Sequence, residues 1–328
     1  MNLDHLKVVI AGGSGQVGTI LARVLHARGH SVTVLSRRPS DHRPWRVVVW
    51  DGRTVDAWAD ELEGADAVIN LCGRSVDCRY SEANRRAILE SRTLSTKALG
   101  AAMSSAQRPP SIWLQASTAT IYAHTFDRPN DELTGQIGGN EPNAPDTWRF
   151  SVEVAKAWEE AAQSSVPAHT RLVLMRSAMT MSADPGGVFD VLLRLVRFGL
   201  GGQAGDGRQY VSWIHEADFL QAVLWLIEHP EISGPVNLAA PGPLPNREFM
   251  AALRKAWGAR LGLPLPAWLL EVGAALLRTE TELILKSRRV VPGILAGYGF
   301  HFSFPSWSGA AEDLCRKWRK ALGPDSRG

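Results

Sequence analysis

Three glycines spaced three residues apart, Gly12, Gly15 and Gly18, carry the clearest chemical signature in the chain. A glycine turn between a strand and a helix lets bare main chain contact a pyrophosphate at the N-terminus of the helix. We expect Gly12 to adopt the angles of a sharp turn, Gly15 to admit the pyrophosphate and Gly18 to bring the helix close to the sheet. The alternative is a turn that is merely tight. The stretch predicts a dinucleotide site with contacts from Gly12, Ser14, Gly15, Gln16, Val17 and Gly18.

The next apolar segment, 31–35, ends in Ser36, Arg37 and Arg38 without an acidic residue. NAD sites usually place Asp or Glu there to accept a hydrogen bond from the ribose 2′-hydroxyl. An arginine instead suits a 2′-phosphate, which a guanidinium binds through two hydrogen bonds. The sequence therefore favours NADP(H), with Ser36, Arg37 and Arg38 as ligands; a solvated basic turn is the alternative.

Further cofactor ligands are expected where later strands end. Asp51 follows the third predicted strand, and an acid there can accept from an adenine amino group; a plain turn aspartate is the alternative. Small residues after the fourth strand would let the dinucleotide pass over its end. The remaining cofactor candidates at strand ends are Leu71, Cys72, Gly73, Ser117 and Arg176.

Hydroxyl groups follow the fifth predicted strand, at Ser117 and Thr118. The carboxyl end of a parallel strand faces the same crevice as the glycine turn, so Thr118 is our candidate for binding a carbonyl or hydroxyl group of a substrate. The competing interpretation is a hydroxyl that caps local backbone.

A parallel sheet is needed to bring these residues together. Alternating apolar segments and amphipathic helices predict an α/β fold with a Rossmann-type doubly wound parallel sheet. Good cap residues, Ser81 and Asn246, mark two helix starts, and a further helix is predicted over 151–162. We expect residues 1–180, with strand and helix contributions from 205–240, to bind NADP(H), and residues 181–328 to form a smaller, mostly helical substrate-side lobe with a C-terminal extension.

Two stretches fall outside this alternation. Residues 123–147 are polar and rich in glycine and proline, as in a functional lid or a disordered loop. The tail carries an apolar stripe that predicts a helix packed on its own domain, with a membrane-lying helix as the alternative. The stripe consists of Leu269, Leu270, Val272, Ala275, Leu276 and Leu277.

Composition limits the class of partner. The net charge of +3, from 36 basic and 33 acidic residues, gives no indication of a nucleic-acid partner, so a small-molecule substrate is expected. Three cysteines without metal-ligand spacing predict free thiols in a reducing compartment and no metal site. The acidic N-terminus leads straight into the first strand, and no apolar run reaches membrane-spanning length. We therefore expect a cytoplasmic protein, with a homodimer as the candidate assembly.

The chain resembles the extended branch of the short-chain dehydrogenase/reductase superfamily. The resemblance covers about the first 240 positions, through the glycine turn, the strand end at 70–73, the hydroxyl segment at 117–122 and the segment 213–218. It is more narrowly similar to an atypical group termed epimerase family proteins, through 77–80, 150–158 and a C-terminal extension over 245–292. The resemblance implies a Rossmann-type fold, NADP(H) binding and an unspecified substrate.

One departure from that family concerns proton transfer. Members of the superfamily use a Tyr-x-x-x-Lys motif on a helix, in which the lysine ammonium lowers the pKa of the tyrosine phenol so that the phenol can transfer a proton. In this chain Lys156 is present, but Val152 stands at the position of the tyrosine. In one interpretation Lys156 holds the nicotinamide ribose, Thr118 orients the substrate, and Tyr122, His124, Cys78 or Tyr210 supplies the proton. His215 and Asp218 are expected in structural roles. In the other interpretation the protein binds NADPH as a structural or sensory ligand without turnover.

Overall fold

A computed structural model describes residues 5–40, 42–142, 144–266 and 285–321. Within these residues one parallel sheet contains seven strands, β1 (Lys7–Ala11), β2 (Ser31–Ser36), β3 (Arg46–Val49), β4 (Ala67–Asn70), β5 (Ile112–Thr118), β6 (Arg171–Ser177) and β10 (Gly234–Leu238). Their order across the sheet is β10-β6-β5-β4-β1-β2-β3. The Rossmann-type sheet expected from the sequence is therefore confirmed, and its last strand lies within 205–240.

The centre of the sheet is its most apolar part. Val8, Val9 and Ile10 of β1 are fully buried, because helices cover both faces of the sheet. From β1 the chain builds outward to β2 and β3 on one side, and it returns to β4 on the other side of β1. The carboxyl ends of β1 and β4 thus form the switch point at which open parallel sheets bind ligands.

Two layers of helices flank the sheet. Leu21, Leu25 and Phe219 belong to the apolar core on one face, and Leu99 and Met103 belong to the core on the other. The flanking helices are α1 (Gln16–Ala27), α2 (Glu82–Ser105), α3 (Asp146–Gln163) and α5 (Glu216–Glu228). A 3₁₀ helix over Ala57–Leu62 joins β3 to β4, and another over Ala119–Ile121 follows β5.

A second lobe follows β6 and is mostly helical, as expected. Its core includes Phe249 stacked on Trp307, with ring centroids 4.0 Å apart. Its helices are α4 (Val188–Arg197), α6 (Asn246–Trp257) and α8 (Trp307–Ala321), and α7 (Gly293–Gly297) packs near β10. Its short strands form two pairs, β7 (Met179–Met181) with β9 (Trp213–His215) and β8 (Tyr210–Val211) with β11 (Leu244–Pro245).

The predicted helix starts had different outcomes. Ser81 caps α2 as expected, since its Oγ accepts from the backbone N–H of Asn84. The Asn246 cap was wrong: Asn246 is already helical, and its Oδ1 accepts from Ala204 N at 2.8 Å. Helix α3 begins at Asp146, five residues before the predicted start, because Pro145 supplies an extended backbone turn there.

The loop over 123–145 is fixed to the C-terminal segment. Asn130 N donates to Arg289 O at 2.7 Å, and Asn130 O accepts from Val291 N at 2.9 Å. The apolar tail stripe from Leu269 to Leu277 lies outside the described residues. Within the described part of the chain, no helix is both long and apolar enough to span a membrane.

Candidate functional site

The glycine turn has the geometry that its three positions require. Gly12 has φ +73°, and a Cβ there would lie 2.9 Å from Cys72 N. A Cβ on Gly18 would clash with the Cα of Gly13, so this glycine permits close packing against the turn itself. Gly15 differs, because a Cβ there would meet no atom of the described residues closer than Gly12 O at 3.7 Å. The space beside Gly15 is therefore open to a ligand.

Helix α1 begins at Gln16, directly after this turn. The N–H groups of its first turn, including those of Gln16 and Val17, have no acceptors within the helix and can bind an anion. The side chain of Gln16 is engaged elsewhere, since its Nε2 donates to Asp184 O at 2.8 Å.

A cavity of about 670 Å³ opens between the glycine turn and the end of β2, and we term it the β2 cavity. Arg37 and Arg38 line it with exposed side chains, and neither guanidinium forms an ion pair with another described residue. Ser36 is buried at its base, where its Oγ accepts from Arg38 N at 3.3 Å. Arg43, which the sequence reasoning missed, also lines the cavity and lies 5.6 Å from the Trp45 ring centroid.

The end of β4 is held by a buried amide. Asn70 Oδ1 accepts from Cys72 N at 3.0 Å, and Asn70 Nδ2 donates to Gln115 Oε1 at 2.9 Å. Leu71 N donates to Ala11 O, which keeps this strand end beside the glycine turn. Burial raises the pKa of the Cys72 thiol to about 12, which disfavours the thiolate form that a nucleophile requires. Gly73 follows at the surface.

Asp51 forms a local turn. Its Oδ1 accepts from Arg53 N at 2.7 Å and from Thr54 N at 2.9 Å, and these backbone bonds lower the pKa of the carboxyl. This is the plain turn arrangement, so the adenine contact stays a prediction without support from the geometry.

A smaller cavity, of about 200 Å³, lies at the carboxyl ends of β5 and β6, and we term it the β5–β6 cavity. Thr118 faces it, and its Oγ1 accepts from Thr120 N at 3.1 Å. Its hydroxyl proton can therefore still be donated to a ligand. The other polar and aromatic residues that line this cavity include Tyr80, Arg92, Thr120, Phe150, Ser151, Trp158, Ser177 and Arg288.

Helix α3 turns Ser151 and Ala155 toward this cavity. Val152 is fully buried, and Lys156 Nζ donates to Gly138 O at 3.1 Å. The residues of α3 that line the cavity lie at 150, 151, 154, 155 and 158, which is the helical spacing of one stripe, and Lys156 lies outside that stripe. Lys156 as a ribose ligand thus stays a prediction that the position of Nζ does not support. Ser151 and Ala155, which are four residues apart and face the cavity, carry neither a phenol nor an ammonium group.

Three sequence candidates belong to one buried network instead of lining a cavity as free ligands. Arg176 forms a two-bond ion pair with Glu159, with both N–O distances 2.8 Å, and Ser117 Oγ donates to Glu159 Oε1. Tyr122 Oη donates to Asn237 Oδ1 and accepts from Arg176 Nη1, both at 3.0 Å. Burial raises the pKa of Tyr122, whose side chain is only 2% exposed. The geometry therefore gives no support to Tyr122 as the proton donor or to Arg176 and Ser117 as cofactor ligands.

The other proposed proton donors also lie outside the β5–β6 cavity. His124 Nδ1 accepts from Ser287 N at 2.9 Å, and burial lowers the pKa of its imidazole. Tyr210 lies under the Arg289 guanidinium, and Cys78 packs in a small apolar cluster with Tyr80. His215 and Asp218 have the expected structural roles, since they accept from the backbone N–H groups of Ala217 and Ser303 respectively.

The described residues contain no cluster of three or more side chains that could hold a metal ion. Tyr80, Arg92, Ser151 and Arg288 also line the smaller cavity and were not predicted from the sequence. For Arg92 the available signal was its spacing from Ile88 on α2, and for Ser151 it was the spacing from Trp158 on α3. Arg288 gave no such signal, because it reaches the cavity from a distant part of the chain.

This combination of doubly wound sheet, glycine turn and strand-end cavities defines a dinucleotide-fold protein of the epimerase and dehydratase type. The model of the NAD dependent epimerase/dehydratase family matches residues 8–239, and the chain belongs to that family. A second model, a domain of unknown function termed DUF1731, matches residues 265–314. This match confirms the C-terminal extension expected from the resemblance.

Among individual proteins, the chain is similar to the human epimerase family protein SDR39U1, with 31% identity over 94% of this chain and 99% of the relative. It is 33% identical to the epimerase family protein ML0860 of Mycobacterium leprae, over 90% of this chain and 91% of that protein. A crystal structure of the human protein with NADPH superposes with a TM-score of 0.81 at 30% identity, over 94% of this chain and 99% of that one.

A nucleoside-diphosphate sugar epimerase from Corynebacterium glutamicum is also similar, with a TM-score of 0.73 and 27% identity. That alignment covers 96% of this chain and 59% of the epimerase chain.

Proposed function

We propose that this protein binds NADP(H) and is an atypical oxidoreductase or epimerase-like enzyme that acts at a carbonyl or carbinol carbon. The pyrophosphate would lie against the glycine turn and the first N–H groups of α1. The 2′-phosphate would lie in the β2 cavity between Arg37 and Arg38, and the nicotinamide would reach the β5–β6 cavity. The NADPH in the crystal structure of the human relative supports this choice of cofactor.

The chemistry would take place beside Thr118. Bound NADPH would supply a hydride to a carbonyl carbon, and bound NADP⁺ would accept one from a carbinol carbon. The Thr118 hydroxyl can hold the carbonyl or hydroxyl oxygen of the substrate. The stripe of α3 at the cavity offers Ser151 and Ala155, so the phenol and ammonium pair that assists proton transfer is missing there. Because general acid–base assistance contributes about 10²- to 10⁴-fold, we expect slow turnover.

The observation that carries the proposal is the pair of exposed guanidinium groups beside the open glycine turn. Replacing both, in Arg37→Ala/Arg38→Ala, removes charge-assisted hydrogen bonds to the 2′-phosphate only. We expect the Kd of NADPH, measured by quenching of tryptophan fluorescence, to rise at least about tenfold, while the Kd of NADH changes little.

Arg28→Ala is the matched control, because Arg28 is exposed at the far end of α1. The control should bind both nucleotides as the unmodified protein does. Equal losses for NADPH and NADH in the double variant would refute the assignment of the 2′-phosphate.

The second candidate function is a nucleotide-dependent regulatory or sensor protein without turnover. The sensor function is favoured by Ser151 and Ala155 at the cavity wall, because neither can replace the tyrosine that usually acts as the acid. A panel of carbonyl compounds and nucleotide sugars, followed by NADPH absorbance, separates the two functions. NADPH oxidation with any member supports the enzyme, whereas tight NADPH binding without oxidation across the panel supports the sensor.

A further inference from the structure

We propose that the β5–β6 cavity binds a ligand with an anionic group, a carboxylate or a phosphate, between Arg92 and Arg288. The inference rests on the proposed function in one respect, namely that this cavity receives the substrate beside the nicotinamide. It adds the chemical class of that substrate, which would be a carbonyl or hydroxy compound carrying a negative charge.

Arg92, the first of these cations, contacts backbone carbonyl groups and an aromatic ring. Its Nη1 donates to the backbone carbonyls of Ile88 at 3.0 Å and Arg74 at 3.2 Å, and its Cζ lies 5.0 Å from the Trp158 ring centroid. No carboxylate of the described residues forms an ion pair with it. Burial lowers the pKa of this guanidinium to about 10, which reflects the cost of desolvating the charge. An anionic ligand would supply the missing partner.

Arg288 brings a second cation from the C-terminal segment. Its side chain lines the same cavity, and its Nε donates to Thr120 Oγ1 at 3.1 Å. Lys286 Nζ donates to Thr120 O at 2.9 Å, so a further positive charge lies close by. This segment thus adds positive charge to the wall that also contains Thr118.

Among the described residues that line the cavity, the charged ones are Arg92 and Arg288, and none is acidic. Planar guanidinium groups bind carboxylate and phosphate through paired hydrogen bonds, and Thr118 can bind a neighbouring oxygen. The phosphates of the cofactor are assigned to other residues, at the glycine turn and in the β2 cavity. The cavity therefore has the composition expected for an anionic substrate.

The test compares two probes that differ in charge but hardly in shape, benzoylformate and its neutral amide, benzoylformamide. Isothermal titration of the full-length protein, with and without saturating NADP⁺, gives the Kd of each probe. We expect the acid to bind at least about tenfold more tightly than the amide. Phenyl phosphate in the same titration distinguishes a phosphate site from a carboxylate site by whether it binds more or less tightly than the acid.

Variants then locate the anion. Arg92→Gln and Arg288→Gln should each reduce the preference for the acid, and Arg92→Lys, which keeps the charge, should restore part of it. Arg86→Gln and Arg289→Gln are the controls, since Arg86 lies exposed on the same helix and Arg289 is adjacent to Arg288 but does not line the cavity. Both controls should retain the full preference, and thermal unfolding identifies any variant that has lost its fold.

Several results would overturn the proposal. Equal binding of acid and amide, no detectable binding of the acid, or a preference that survives both glutamine variants would each do so. A loss of NADPH affinity in Arg92→Gln as large as the loss of acid affinity would assign Arg92 to the cofactor instead. If the unmodified protein failed to bind NADPH, the proposed function would be refuted but the anion site would not. The titration without cofactor still measures the preference for the acid over the amide.

Discussion

At the scale of single residues, the glycines of the turn illustrate how differently three identical residues contribute. Gly12 is confined by Cys72 and by its positive φ, and Gly18 is confined by Gly13. Gly15 alone faces open space, where the site would receive the pyrophosphate. A methyl group at Gly15 should therefore affect the ligand and spare the fold.

We predict that Gly15→Ala leaves the temperature of thermal unfolding unchanged without ligand. The same variant should raise the Kd of NADPH at least about tenfold, because the new Cβ occupies space needed by the pyrophosphate. Thermal unfolding with and without NADPH measures both effects, since the stabilisation by ligand should shrink. A stable variant with unchanged NADPH affinity would place the pyrophosphate elsewhere.

At the scale of elements, β1, the turn and α1 could be predicted because their signals are local. The glycine spacing, the buried run of β1 and the basic end of β2 lie within about thirty consecutive residues. The orientation of α3 could not be predicted in this way, since its packing decides whether Ser151 or Val152 faces the cavity. The buried pair of Arg176 and Glu159 was equally hidden, because β6 and α3 meet only in the folded chain.

The orientation of α3 leads to a test of Lys156. The resemblance to the family implies that Lys156 binds the nicotinamide ribose, whereas its Nζ donates to Gly138 O outside the cavity-facing stripe. We therefore expect Lys156→Ala to leave the Kd of NADPH unchanged, as measured by fluorescence titration. A clear loss of NADPH affinity, with Lys97→Ala on α2 as an unaffected control, would restore the role that the resemblance implies.

At the scale of the whole molecule, the C-terminal part of the chain contributes to both lobes. Its segment 285–291 hydrogen-bonds the 123–145 loop, and Arg288 reaches the β5–β6 cavity. Helix α8 binds the start of α5, where Asp313 Oδ2 lies 3.2 Å from His215 Nε2. Such long-range contacts left no local pattern to predict from. The cytoplasmic location, the homodimer and the domain boundary at 180 stay predictions.

The contact between α8 and α5 predicts a dependence of stability on pH. His215 Nδ1 accepts from Ala217 N, so its proton resides on Nε2, and protonating Nδ1 would break the helix cap. Burial and the nearby Lys317 lower its pKa from 6.5 to about 4. Between pH 6.5 and 4 the histidine therefore binds more protons in the unfolded chain than in the folded chain. The free energy of unfolding should fall by about 3 kcal/mol as the pH drops from 6.5 to 4.

Urea unfolding over this pH range measures the effect. His215→Asn keeps a cap acceptor but does not titrate, so its stability should fall less between pH 6.5 and 4. Lys317 helps to lower the pKa of Asp313, so protonation of Asp313 also decreases the free energy of unfolding at the acidic end of this range. This contribution remains in the variant. Identical pH profiles for the two proteins would show that His215 is not the group responsible.

A crystal structure of the complex with NADPH would test whether the glycine turn and the paired arginines bind NADP(H). In this complex the pyrophosphate should accept hydrogen bonds from the N–H groups at the start of α1. The 2′-phosphate should lie within hydrogen-bonding distance of Arg37 or Arg38. A complex in which that cleft is empty, or in which the 2′-phosphate contacts neither arginine, would contradict this assignment.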